Sequence, residues 1–312
     1  RGREKGWLIW STLVSGVAAD EEVVTPAVTF IAPLNAIRYA GAWPVVVDVE
    51  SDYWQMDPQQ LRAFLAEDCT RQGEALVNRH TGRRVRAVMP VDILGHPTDL
   101  DAVHAIAAEF SLAVIEDATE SLGARYKDRP LGQLSQVTCF SFNGNKVITT
   151  GGGGMLVTDD EPLARRARYL ATQAKDDPIE YVHSTVGYNY RLTNILAAMG
   201  CAQLEQLDAF VEKKRAIAAR YIEAFRDLCG ITPMREAPWA FSTFWMFTVL
   251  VDEAAFGRAS RALLRLLGEQ NLKIAELNDK VRYLMGEVGK AGPAGDELPE
   301  DLRNALMELE KE

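Results

Sequence analysis

The run "SFNGNKVITTGGGG", residues 141–154, sets one lysine, Lys146, between an Asn-Gly turn and four glycines. A lysine so placed can bind phosphate, form a covalent bond, or simply sit in a tight turn shaped by glycines. A P-loop puts its glycines before the lysine and a Ser or Thr after it. Here the glycines follow Lys146 and Val147 comes next, so the order is wrong. A dinucleotide-binding fingerprint opens a helix, whereas "GGGGMLVTDD" leads into a strand pattern. Two readings stay open: a tight turn shaped by the glycines, and imine chemistry, in which a constrained lysine attacks a carbonyl group.

If that carbonyl belongs to pyridoxal phosphate, the site needs three further parts. A carboxylate must pair with the pyridine nitrogen, polar donors must hold the phosphate, and a flat side chain must cover the ring. Asp117 ends the apolar run "LAVIED". Ser141 lies five residues before Lys146, and Phe30 follows "VVTPAVT". Each has a plainer reading alone: Asp117 as a cap, Ser141 as a surface hydroxyl, Phe30 as core. Their order and spacing together are what count. The four histidines (His80, His96, His104, His183) are scattered, and none is assigned to catalysis.

The elements that must carry these residues alternate. "EVVTP", "PVVVDV" (44–49), "RVRAVMPV" (84–91), "LAVIED" (112–117), "QVTCFSF" and "GMLVTDD" read as strands. Between them, "TFIAPLNAIRYAG", "DPQQLRAFLAED" (57–68, with Asp57 as cap and Pro58 at its first position) and "TDLDAVHAIAAEF" (98–110, capped by Thr98 or Asp99) read as helices. Continuous apolar strands in this order mean an α/β domain with a mainly parallel sheet, whose ligands sit beyond the carboxyl ends of the strands. After "EPLARRARYLATQAK" a long helical zone runs from about Thr193 to Leu228; "FWMFTVLVD" (244–252) reads as one strand and "AAFGRASRALLRLLGEQ" as a helix. The spacing divides the chain into a large α/β domain over 1–190, a long helix with a small α+β domain over 191–272, and a charged helical tail over 273–312, broken by "AGPAGDELP".

The chain has 312 residues, 47% hydrophobic and 25% charged, which supplies a full core. A net charge of −10 argues against a nucleic-acid partner. Four cysteines without CxxC spacing fit a reducing compartment and no zinc site. "RGREKG" followed by "WLIWSTLVSGVAA" has the order of a secretory leader, but it runs into a strand and is read as a buried first helix. The expected location is cytoplasmic, with no membrane span.

Three ordered stretches, "VIEDATESLGARYKDRPLG", "CFSFNGNKVITTGGGGMLVTDD" and "VGYNYRLTNILAAMGCAQLEQLD", resemble the DegT/DnrJ/StrS sugar aminotransferases. The resemblance runs from about Asp20 to Leu228 and more loosely to about Leu272. It implies the type I aminotransferase fold with a smaller, here altered, α+β C-terminal domain. It also implies a homodimer with a shared active site, and transfer of an amino group from L-glutamate to a keto group on a nucleotide-linked sugar. Position by position, Lys146 is similar to the Schiff-base lysine, Asp117 to the pyridinium partner, and Glu120 to the Gln or Glu near the ring's phenolic oxygen. Ser141 falls on the phosphate-binding serine, Phe30 on the ring-stacking aromatic, and Asn189 on an asparagine that reaches the phosphate across the dimer. Asn143 stands where many members have His, and Arg191 is a substrate-phosphate candidate or a structural ion-pair partner. "SFNGNK", "TQAKDDP" and "PVDILGHPTDLDAV" resemble the subgroup acting on UDP-linked 4-keto-6-deoxy-N-acetylhexosamines, as in legionaminic-acid-type pathways.

Two regions depart from the family's pattern. "RGREKGWLIW" has no counterpart of its Ser-Gly-Thr phosphate loop, and the stretch after Lys273 does not resemble its C-terminal domain. The alternatives are a non-catalytic sensor or scaffold of the same fold, or an inactive fragment of such an enzyme.

Overall fold

The computed structural model describes residue 12, residues 15–177 and residues 179–273. The apolar run at the start and the tail after 273 lie outside these residues, so neither the leader nor the tail expectation is addressed by the fold. Among the described residues no helix is long and apolar enough to cross a membrane.

β-branched runs that are buried on both faces become the central strands. β1 (Glu22–Pro26), β5 (Arg84–Val88), β6 (Ala113–Asp117) and β9 (Val137–Ser141) pair in parallel, with β2 (Trp43–Val47) beside β1. β10 (Gly154–Val157) closes one edge antiparallel to β9, giving the order β10-β9-β6-β5-β1-β2. Val24, Val88, Val103 and Val114 pack one face, and Val23, Ile37, Ala87 and Ile115 the other. At roughly 1.5–3 kcal/mol for each large apolar side chain removed from water, these two layers dominate the folding energy.

Most expected elements form where the patterns place them. α1 (Ile31–Tyr39) follows β1, α2 (Pro58–Ala63) is capped by the Asp57 carboxylate accepting from the Gln59 N–H, and α3 (Leu100–Phe110) is capped by Asp99 rather than Thr98. A hairpin absent from the sequence reading, β3 (Cys69–Gln72) with β4 (Ala75–Asn78), adds to the sheet beside β5. Its Asn78 and the following Thr81 donate to the buried Glu22 carboxylate at 2.9 and 2.7 Å, which satisfies a charge otherwise costly to bury.

After α4 (Glu161–Ala171), the long helical zone is two helices, α5 (Asn194–Leu204) and α6 (Leu207–Phe225). "FWMFTVLVD" is not one strand: only Val249–Val251 is extended. Phe244 has φ +46°, and the Thr243 N–H donates to the Gly95 carbonyl at 2.9 Å, so residues 242–245 bond to the connection after β5 instead of forming a ladder. A three-stranded sheet, β7 (Arg125–Tyr126), β8 (Arg129–Pro130) and β11 (Ala240–Phe241), ties this stretch to the domain.

The contacts group the chain into two units. The larger runs through Arg226 and includes Pro233–Val249; the smaller contains Asp227–Thr232 and the segment from Leu250. In the smaller, a short helix at Glu253–Phe256 is capped by Asp252 and ends at Gly257, and residues 260–273 are helical. The expected helix over this region is therefore interrupted.

Candidate active site

The carboxyl ends of the parallel strands surround one cavity of about 190 Å³ in the larger unit. β6 delivers Asp117, β9 delivers Ser141, and the turn after β1 delivers Thr29 and Phe30. Val91, Thr119, Glu120, Asn143, Asn145 and Lys146 also line it. Lys146, Asp117, Glu120, Ser141, Phe30 and Asn143, separated by up to 116 positions, thus meet at one place, where a parallel sheet binds its ligands.

Lys146 sits in a closed loop between β9 and β10. Its N–H donates to the Asn143 carbonyl at 3.0 Å, and the Thr150 N–H and Thr149 Oγ1 both donate to the Phe142 carbonyl at 3.0 Å. Gly153 answers part of the glycine question: with φ +96°, a Cβ there would also stand 2.7 Å from Leu192 Cδ1. The glycines close the loop; they do not cradle a phosphate ahead of the lysine.

The lysine's Nζ lies 3.7 Å from Glu120 Oε1, and both side chains are nearly buried. Burial pushes the Lys146 amine below its ordinary pKa, while Glu120 and Asp117 pull it back up. Asp117 is 1% exposed. Burial raises its carboxyl above the usual range, against the Thr119 N–H at 3.1 Å and the charge of Lys146. Burial likewise raises Glu120, whose other oxygen accepts from the Leu94 N–H at 2.7 Å. Phe30 is half exposed, and its ring centroid lies 5.6 Å from Lys146 Nζ.

One neighbour of the lysine was not read from the sequence. Trp245 is buried, with Lys146 Nζ 4.1 Å from its ring centroid, and its Nε1–H donates to the Asn145 carbonyl at 2.7 Å. Asn189 and Arg191 are exposed and do not line the cavity. Asn189 bridges to Thr172. His96 is buried and structural: its Nε2 accepts from the Ala237 N–H at 2.9 Å, which leaves the proton on Nδ1 to donate to the Pro97 carbonyl at 2.7 Å.

Residues 8–279 match the sequence profile of the DegT/DnrJ/EryC1/StrS aminotransferase family. The chain belongs to this family. Among members of the DegT/DnrJ/EryC1/StrS family, it is 39% identical over 261 residues to EpsN of Bacillus subtilis (strain 168), which carries the name of a pyridoxal phosphate-dependent aminotransferase. That match covers 84% of this chain and 64% of EpsN. It is 38% identical over 242 residues to a GDP-perosamine synthase of Escherichia coli O157:H7, covering 78% of this chain and 62% of that one. The chain thus spans less than two thirds of the length of these curated relatives. A crystal structure of S. venezuelae DesV in complex with a ketimine intermediate superposes with a TM-score of 0.71 at 32% identity, covering 80% of this chain and 63% of DesV. The central sheet and its helices therefore have the aminotransferase fold that the resemblance implies.

Proposed function

We propose that this protein transfers an amino group from glutamate to the 4-keto group of a nucleotide-linked 6-deoxy sugar, with pyridoxal phosphate as cofactor. The observation that carries the reading is the meeting of Lys146, Asp117, Glu120, Ser141 and Phe30 at one cavity in a chain of this family.

The residues fit the cofactor on physical grounds. Thr29 Oγ1, in the cavity wall, is buried without a hydrogen-bond partner, so a bound polar group would satisfy it. Asp117 is a buried carboxyl facing a single ammonium at some distance, a setting that a ring N–H donor would complete. Ser141 would hold the phosphate, and Phe30 would cover one ring face.

When bound, pyridoxal phosphate supplies an electron sink for bond breaking at the amino-acid carbon. Asp117 would ionise against the ring N–H and keep that nitrogen protonated. Lys146 Nζ, free as an amine, would take the proton from the amino-acid carbon and return it to the neighbouring position. Burial enlarges the neutral, basic fraction of Lys146, and Glu120 holds its Nζ in the cavity between the two transfers. With the keto-sugar the same groups act in reverse order.

The relatives named GDP-perosamine synthase favour a GDP-linked sugar. The UDP-linked N-acetylhexosamine implied by "SFNGNK" is the second reading; Asn143 and Asn145 of that run line the cavity. Incubation with glutamate and each 4-keto-6-deoxy sugar nucleotide, read by product mass and 2-oxoglutarate release, tests both. Amination of the GDP sugar in preference to the UDP sugar is expected, and none with Lys146→Ala. Amination of neither would overturn the proposal and leave the scaffold reading.

We infer a second copy of the chain as partner. α5 buries none of its residues although it is mostly apolar, and Ile179, Val186, Ile195 and Met199 around it are exposed. An apolar surface of this kind is normally covered. Asn189 lies in the same stretch, as expected of a residue that serves the partner's site.

A further inference from the structure

We propose that Trp245 is a positioning residue for Lys146: its indole face is the resting station of the lysine's ammonium, and its N–H anchors the loop that carries the lysine. This rests on the reading of Lys146 as the working amine.

The geometry has two independent parts. The ammonium nitrogen lies 4.1 Å from the centroid of Trp245, against 5.6 Å for Phe30 and 3.7 Å for the Glu120 oxygen. An indole is the best of the side-chain rings for holding a cation, and more so when water is excluded. Trp245 is 3% exposed and Lys146 is 12% exposed, so water is largely excluded here. The charged groups that act on Lys146 are Glu120 and Asp117. Separately, the indole Nε1–H donates to the Asn145 carbonyl, one residue before the lysine.

The backbone that carries the indole is held by a hydrogen-bond network. Arg215 on α6 grips the Glu236 carboxylate at 2.5 and 3.1 Å and also donates to the Ser242 carbonyl at 2.6 Å. Glu236 accepts from the Ser242 N–H at 2.7 Å, and Ser242 Oγ donates to the Gly95 carbonyl at 3.0 Å. Lys214 Nζ donates to the Trp245 carbonyl at 2.9 Å. The segment is thus fixed to α6 on one side and to the end of the β5 connection on the other. Such fixing is what a group that sets another's position within a fraction of an ångström requires.

The proposal separates from a merely structural wall by sign. Removing a wall admits water, and the lysine's pKa rises toward its ordinary value. Removing a cation station destabilises the ammonium, and the pKa falls. The test is a pH titration of the Lys146 Cε resonance in cofactor-free, ¹³C-lysine-labelled full chain, assigned by its loss in Lys146→Arg. It needs neither cofactor nor sugar, so its outcome is independent of the proposed reaction. Trp245→Leu should lower the Lys146 pKa by about 0.5–1.5 units, with Trp245→Phe between it and the wild type. An unchanged or raised pKa in the Leu variant would overturn the proposal. If that variant does not fold, the Phe variant is read alone: a fall supports the station, and no change or a rise overturns it.

Discussion

Asp117 shows how one position turns burial into chemistry. Its carboxyl is almost fully removed from water, which disfavours the charged form, and Lys146 offsets only part of that. A cationic ring N–H would restore the charge where it is used. Asp117→Asn should therefore leave the fold intact and slow the glutamate-driven loss of the cofactor's visible band by about 10²-fold or more. Stopped-flow absorbance reads this directly; a rate within twofold of wild type would remove Asp117 from the proposed role. Lys146 and Asp117 were legible because each stands at the end of an apolar strand run or inside a loop of unmistakable composition. Trp245 was not, because "FWMFTVLVD" is apolar except for Thr248 and the final Asp252, and periodicity cannot tell a strand from a segment that turns inward.

At the scale of elements, the site depends on a junction that links distant parts of the chain. Ser242 and Gly95 are 147 positions apart, yet the Gly95 carbonyl accepts from Ser242 Oγ and the Thr243 N–H. Gly95 has φ +94°, and a Cβ there would lie 2.3 Å from Thr243 Oγ1 and 2.7 Å from the Trp245 nitrogen. Gly95→Ala should cost about 2–5 kcal/mol, summing left-handed strain and overpacking, and lower the urea midpoint with little change in slope. A loss under about 0.5 kcal/mol would mean the segment is free to move away. The parallel strands and the caps Asp57 and Asp99 could be read locally, since their signals lie within a few residues. The β3–β4 hairpin could not: "CTRQGEALVN" is partly polar and short, and the site it serves, the Glu22 carboxylate, lies far away in sequence.

For the whole molecule, stability should vary with pH partly through His96. Burial lowers its pKa from 6.5 to about 4, against the Pro97 and Glu236 contributions. The unfolded chain therefore binds this proton first as pH falls. The stability due to neutral His96 is full above pH 6.5 and is lost as pH drops to about 4, a change of about 3 kcal/mol. The raised carboxyls of Asp92, Glu116, Asp117 and Glu120 act in the opposite sense, since their stabilising protonated forms are lost as pH rises. Comparing wild type with His96→Gln isolates the histidine: their difference in unfolding free energy should narrow between pH 7 and pH 4, and parallel curves would refute the assignment. Ile195→Glu, on the unburied face of α5, should turn a dimer into a monomer in sedimentation, whereas a wild type that sediments as a monomer would exclude the shared site.

The proposed reaction requires that Lys146 hold pyridoxal phosphate in a chain competent for amino transfer. The visible absorption spectrum of the purified protein with added cofactor, recorded before and after glutamate, tests it most directly. The expected result is a protein-bound band that bleaches with glutamate and is absent in Lys146→Ala. No band, or one that survives unchanged in the variant, would contradict the account.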